Sequence, residues 1–188
     1  KLAAVSEMDT FDKGPLTAAK KRLPWLIILL FLGMITANLI GIFEKTLDQV
    51  AILAVFIPLI AGMAGNSGTQ ALAVAVRGIA TGDIEEQSKM KLLIREAGTG
   101  LITGVVCGVV VIGIVYFWQH QLLLGLLVGA AIFGSIFVAT LAGSFVPLLI
   151  HRMNIDPAVA SGPFITTLND IISILIYLGL ASMFLTQL

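Results

Sequence analysis

Apolar and polar positions segregate along this chain into long uncharged runs separated by short charged connections. From Leu23 to Phe43 no residue is charged, a run of 21 positions, close to the roughly 20 needed to cross about 30 Å of hydrocarbon as a helix. Gln49 to Val76 is a second uncharged run, and its 28 positions require tilt, bending or protrusion from the bilayer. Ala97 to Ile150 holds no Asp, Glu, Lys or Arg in 54 positions, enough for two spans joined at Gln119, His120 and Gln121. A further apolar run, interrupted only by Asp170, begins at Pro157 and supplies the fifth span. The pattern predicts five membrane-spanning helices at about 23–43, 49–76, 97–118, 122–150 and 157–184, and an all-α polytopic membrane protein. Arg77 to Glu96 is expected to be the longest aqueous connection.

Composition agrees. Of 188 residues, 58% are hydrophobic and 12% charged, and the mean hydropathy is +1.04, outside the soluble globular range. Formal charge is zero, so bulk electrostatics suggests no nucleic-acid partner. Its distribution is uneven: with five spans, the N-terminal segment, the 77–96 connection and the 151–156 loop carry 10 of the 11 Lys and Arg residues, and the opposite side has only Lys45. This asymmetry predicts a cytoplasmic N-terminus, a C-terminus outside, and residence in the cell (inner) membrane. Residues 1–22 read as a cytoplasmic amphipathic segment, interrupted at Gly14-Pro15, that leads into a pore domain over 23–188. Pro24 is expected in the first turn of the first span. The chain begins with Lys1 and no signal-peptide pattern, as expected of a fragment of a longer protein.

Within the runs, small residues mark packing faces. Gly100, Gly104 and Gly108, and then Ala131, Ser135, Ala139 and Gly143, recur every four residues, the spacing that lets helix backbones approach closely. Cys107 reads as a small buried hydrophobe and His120 as a wet loop residue, with no second His or Cys nearby to make a metal site.

Two stretches do not look like plain lipid-facing helix. Pro58 to Gln70 concentrates Gly, Asn, Ser, Thr and Gln where hydrocarbon offers no partners, and Gly62, Asn66, Thr69, Ala73 and Arg77 fall on one helical stripe. In the fifth run, Pro163, Thr166, Asp170, Ser173 and Tyr177 form a second stripe. Asp170 is the most deeply placed acid of the sequence, and a carboxylate at bilayer depth costs roughly 2.5–3.5 kcal/mol on insertion scales. The two stripes are expected to face each other across a wet path, with Pro58 and Pro163 freeing backbone carbonyls. A carboxylate among hydroxyl, amide and carbonyl oxygens favours hard cations over zinc or copper, and a two-fold axis would supply a second carboxylate. These residues leave three readings open: a cation pathway, a proton-relay acid that couples transport, and a buried protonated structural Asp. A chain serving only as a membrane anchor is a further alternative. No catalytic constellation is present in the pattern, so an enzyme is not expected.

The segments Pro58 to Gln70, Asp156-Pro157 and Ser161 to Asp170 resemble the MgtE family of magnesium channels, and the resemblance extends over nearly the whole chain. It implies a homodimeric pore, lined by spans two and five, that conducts hydrated Mg2+ into the cytoplasm. In this sequence the ion-binding acid would be Asp170, with the Thr166 carbonyl one turn before it and Gly62, Asn66 and Thr69 on the span-two wall. Asp156 would sit at the cytoplasmic mouth, where regulatory Mg2+ is expected. Two departures from the family's pattern are expected: these 188 residues do not include the cytoplasmic N-terminal and CBS domains, and Gly162 stands where Asn is usual before the span-five proline. Residues 1–22 resemble the helix that would connect those missing regulatory domains to the pore.

Overall fold

The protein is described by a computed structural model, which covers residues 14–82, 88–153 and 162–184. Six helices follow in order: α1 (Pro15–Ile42), the short α2 (Glu44–Gln49), α3 (Leu53–Ala80), α4 (Lys89–Gln119), α5 (Leu122–Arg152) and α6 (Gly162–Met183). All but α2 are long and apolar enough to cross a membrane. This is a polytopic all-α membrane protein with five such helices among the described residues.

The helices overrun the hydrocarbon. At 28 residues α1 and α3 are each about 42 Å long, and α4 and α5, at 31 residues, about 46 Å. α1 runs without interruption from Pro15, the residue that occupies its first turn, where a missing N–H costs nothing. Pro24 is therefore inside the helix rather than in its first turn, and the Lys20 carbonyl loses its ladder donor. Pro58, in the interior of α3, removes a ladder donor as expected, whereas the carbonyl that Pro163 would free belongs to a residue before Gly162 and lies outside the described residues. α4 ends at His120, whose left-handed backbone (φ 55°) turns the chain directly into α5 while its N–H bonds to the Tyr116 carbonyl at 2.9 Å.

α5 is the hub. It packs against α3, α4 and α6, whereas the sequence neighbours α3 and α4 barely touch, and α1 leans mainly on α6 and buries no residue. The two small-residue lines of α4 and α5 do not meet each other. α4 lays Gly100, Gly104 and Gly108 against Phe137 and Thr140, Phe133, and Gly129 of α5. The Ala139 and Gly143 end of the other line instead receives α3: a β-carbon at Gly143 would fall on the Gly68 carbonyl, so the two backbones are in contact. Ser67 and Thr140 share a 2.7 Å hydrogen bond across the same interface. The apolar core, formed by Leu53, Phe56, Ile60, Val128, Ile132, Tyr177 and their neighbours, fills the half of the bundle near the start of α3.

Candidate functional site: the groove between α3 and α6

α3 and α6 run antiparallel, and three contacts set their register. Gly162 faces Thr69, Thr166 packs its methyl group on Gly65, and the Tyr177 hydroxyl donates to the Leu53 carbonyl at 2.9 Å. This register places Asp170 level with Ala61 and Gly62 of α3. α5 closes one side of the pair through Gly68, Ser67 and Ala75, which meet Gly143, Thr140 and Leu148. The opposite side is open: Pro58, Gly62, Asn66 and Ala73 of α3 and Pro163 of α6 are exposed, with Thr69, Thr166 and Asp170 half-buried beside them. Nothing lies within 4 Å of a β-carbon built at Gly62. The structure thus brings five of the six residues expected at a site, Gly62, Asn66, Thr69, Thr166 and Asp170, onto one groove. Asp156 lies outside the described residues.

Asn66, Thr69, Thr166 and Asp170 bring side-chain oxygens to the groove among Pro58, Gly62, Ala73 and Pro163. The Thr69 hydroxyl donates to the Asn66 carbonyl at 2.9 Å and the Thr166 hydroxyl to the Gly162 carbonyl at 3.0 Å, so each hydroxyl spends its proton on its own helix and keeps lone pairs for acceptance. Ser173 donates to the Asp170 carbonyl at 3.0 Å. Among the described residues no group of three His, Cys, Asp or Glu side chains could hold a metal. One carboxylate with hydroxyl and amide oxygens suits a hard, partly hydrated cation rather than a caged transition metal.

The stripe expected on α6 divides. Pro163, Thr166 and Asp170 reach the groove, but Ser173 and Tyr177 belong to a fully buried line, Ile165, Asn169, Ser173, Tyr177 and Ala181, repeated every four residues. Asn169 on this line was not anticipated. It is 1% exposed, its amide lies against Gly68, and neither amide atom has a hydrogen-bond partner among the described residues. Its signal was the four-residue spacing to Ile165 and Ser173, masked by the acid next to it.

Glu96 is a correction. Expected in an aqueous connection, it is 4% exposed, because α4 begins at Lys89 and Glu96 continues the buried line Leu92, Glu96, Gly100, Gly104, Gly108. It opens on a cavity of about 370 Å3 between α3, α4 and α5, shared with Asn66, Ser67, Gln70, Thr99 and Thr140. Asp170 is therefore not the only buried or half-buried acid. Asn66 lines both this cavity and the groove.

Five helices long and apolar enough to cross a membrane define a multi-pass membrane protein. The sequence model of the MgtE family, described as "Divalent cation transporter", matches residues 57–180, and the chain belongs to that family, one of transporters rather than enzymes. Relatives named "Magnesium transporter MgtE" include those of Enterococcus faecalis, 52% identical over 179 residues, Bacillus subtilis, 44% over 188, and Thermus thermophilus, 35% over 187. The matches cover 95%, 100% and 98% of this chain but 40%, 42% and 41% of the relatives. The chain thus spans about two fifths of the length of these curated relatives.

Proposed function

We propose that the α3–α6 groove is one wall of a pore for hydrated Mg2+, with Asp170 as its ion-binding acid. The observation that carries this reading is the placement of the single membrane-embedded carboxylate of α6 on the side of the α3–α6 pair that α5 leaves open, beside Gly62, Asn66, Thr69 and Thr166. Mg2+ dehydrates reluctantly. A wide oxygen-lined wall with one carboxylate suits an ion that keeps its waters: the carboxylate attracts the ion through a water shell, and the hydroxyl and carbonyl oxygens accept hydrogen bonds from those waters. A half-open groove needs a facing wall, and a second copy related by a two-fold axis would supply it together with a second Asp170. The bare glycine at Gly62 keeps the wall clear at the level of the acid.

In this reading the chain is a homodimeric channel of the cell membrane with its N-terminus in the cytoplasm and Mg2+ as its cargo, entering down its gradient. The relatives are more than twice as long, and regulation is assigned to the cytoplasmic domains that the additional length would hold. Mg2+ entry into liposomes loaded with a fluorescent Mg2+ indicator tests the assignment. Asp170→Ala and Asp170→Asn are expected to lower entry at least 10-fold, with Asp170→Glu retaining part of it. Wild-type entry in the Ala variant would remove Asp170 from the pathway. An imposed pH gradient separates the channel from a proton-coupled transporter, since only the latter requires the gradient for uptake.

A further inference from the structure

At the end of the molecule where α3 finishes and α4 begins, a second cavity of about 480 Å3 lies in the cleft between the two helices, which hardly touch. Its lining includes Arg77 and Gly78 of α3 and Ser88, Lys91, Leu92 and Arg95 of α4. Three cations thus converge on one cleft. Lys91 and Arg95, four residues apart on the same helix face, repel each other. The described carboxylate beside them, Glu96, meets Arg95 only at 3.9 Å and is turned into the neighbouring cavity.

The depth of the cleft identifies the ligand class. The exposed Trp118 marks the opposite water boundary of α4. Twenty residues back from it, about 30 Å along the helix, is residue 98. Arg95 and Lys91 then lie about 5 and 10 Å beyond the hydrocarbon, within the layer occupied by lipid headgroups. Below them α4 exposes Leu101, Ile102 and Val105, an apolar track for acyl chains. We propose that this cleft binds the phosphate headgroup of an anionic phospholipid, with Arg77, Lys91 and Arg95 as its ligands.

Native mass spectrometry of the intact chain in detergent, titrated with phosphatidylglycerol or with phosphatidylcholine, tests this. The wild type should retain the anionic lipid in preference to the zwitterionic one. The R77Q/K91Q/R95Q variant should lose that preference by roughly 100-fold, and R77K/R95K should keep most of it. The side chain of Arg95 is 70% exposed, so an unchanged melting temperature is expected for the triple variant. Inorganic phosphate, as a competitor at equal concentration, should displace little lipid. Displacement by phosphate would assign the cleft to a soluble anion and overturn the lipid proposal. So would equal retention of the two lipids by the wild type, the result expected if Asp83, Glu85 and Glu86 of the preceding connection, or an acidic protein surface, neutralise the cations instead.

Discussion

Replacing Gly143 by Ala places a methyl group against the backbone of α3. The new β-carbon falls on the Gly68 carbonyl oxygen and comes to 2.9 Å from its carbon and 3.0 Å from the Gly68 Cα. Backbone on both sides cannot rotate away, so α3 and α5 must separate locally by up to about 1 Å to restore ordinary contact near 3.5–4 Å. One turn away, the 2.7 Å bond between Ser67 and Thr140 would then exceed hydrogen-bonding distance. Overpacking costs about 1–3 kcal/mol, the lost bond adds about 1, and alanine returns about 1 through its better helix propensity. The net is about 1–3 kcal/mol, or a melting temperature lower by about 3–10 °C for a chain of this size. Gly62→Ala is the control: its methyl meets nothing within 4 Å, so stability should hold or rise slightly while Mg2+ entry falls, because the wall narrows beside Asp170. Thermal melts followed by size exclusion in detergent give the first quantity and liposome flux the second. An unchanged melting temperature for Gly143→Ala would refute the close approach of α3 and α5.

Tyr177→Phe should cost about 1–2 kcal/mol in the same melts, since it removes the hydroxyl that ties α6 to the Leu53 carbonyl at 2.9 Å and leaves the cavity shape unchanged. A double-mutant cycle of Ser67→Ala and Thr140→Val should return a coupling of about 0.6 kcal/mol, the usual scale between membrane helices, and no coupling would deny the bond. Asn169→Leu should keep or raise stability by about 1 kcal/mol, because two unpartnered amide atoms leave the interior. A drop beyond 2 kcal/mol would show that the amide has a partner, such as an internal water.

The number and type of long helices were legible because three uncharged runs, one of them long enough for two spans, and a last run interrupted only by Asp170 leave no other assignment at this hydropathy. One stripe was legible as well: Gly62, Asn66 and Thr69 share a face by helical geometry alone, and Asp170 is conspicuous as the one acid in a segment rich in Ile and Leu. Helix ends were harder to read. Charge marks where water begins, not where helix stops, so α4 carries Lys89, Lys91, Arg95 and Glu96 in its first two turns, and Glu96 was assigned to water although it shares a face with Gly100 and Gly104. Pro24 illustrates the same limit, since the role of a proline depends on its distance from a helix start that the sequence does not mark. Which face of a helix is buried, and against what, also depends on neighbours. Asn169 and Asp170 are adjacent polar residues, and only the packing of α3 and α5 sends one inward and the other to the groove.

The position of α5 at the centre of the packing has a consequence for biogenesis. α3 and α4 leave the ribosome in succession but offer each other almost no surface, and the close backbone contacts of both are made with Leu122–Arg152. During synthesis the early helices must wait in the bilayer as separate spans, with Glu96 still lacking its enclosure. Tertiary assembly begins only when the fourth span is inserted. Chains stalled or truncated before residue 122 would therefore present quality-control proteases with unassembled helices, whereas those that include α5 already hold three of the five spans together.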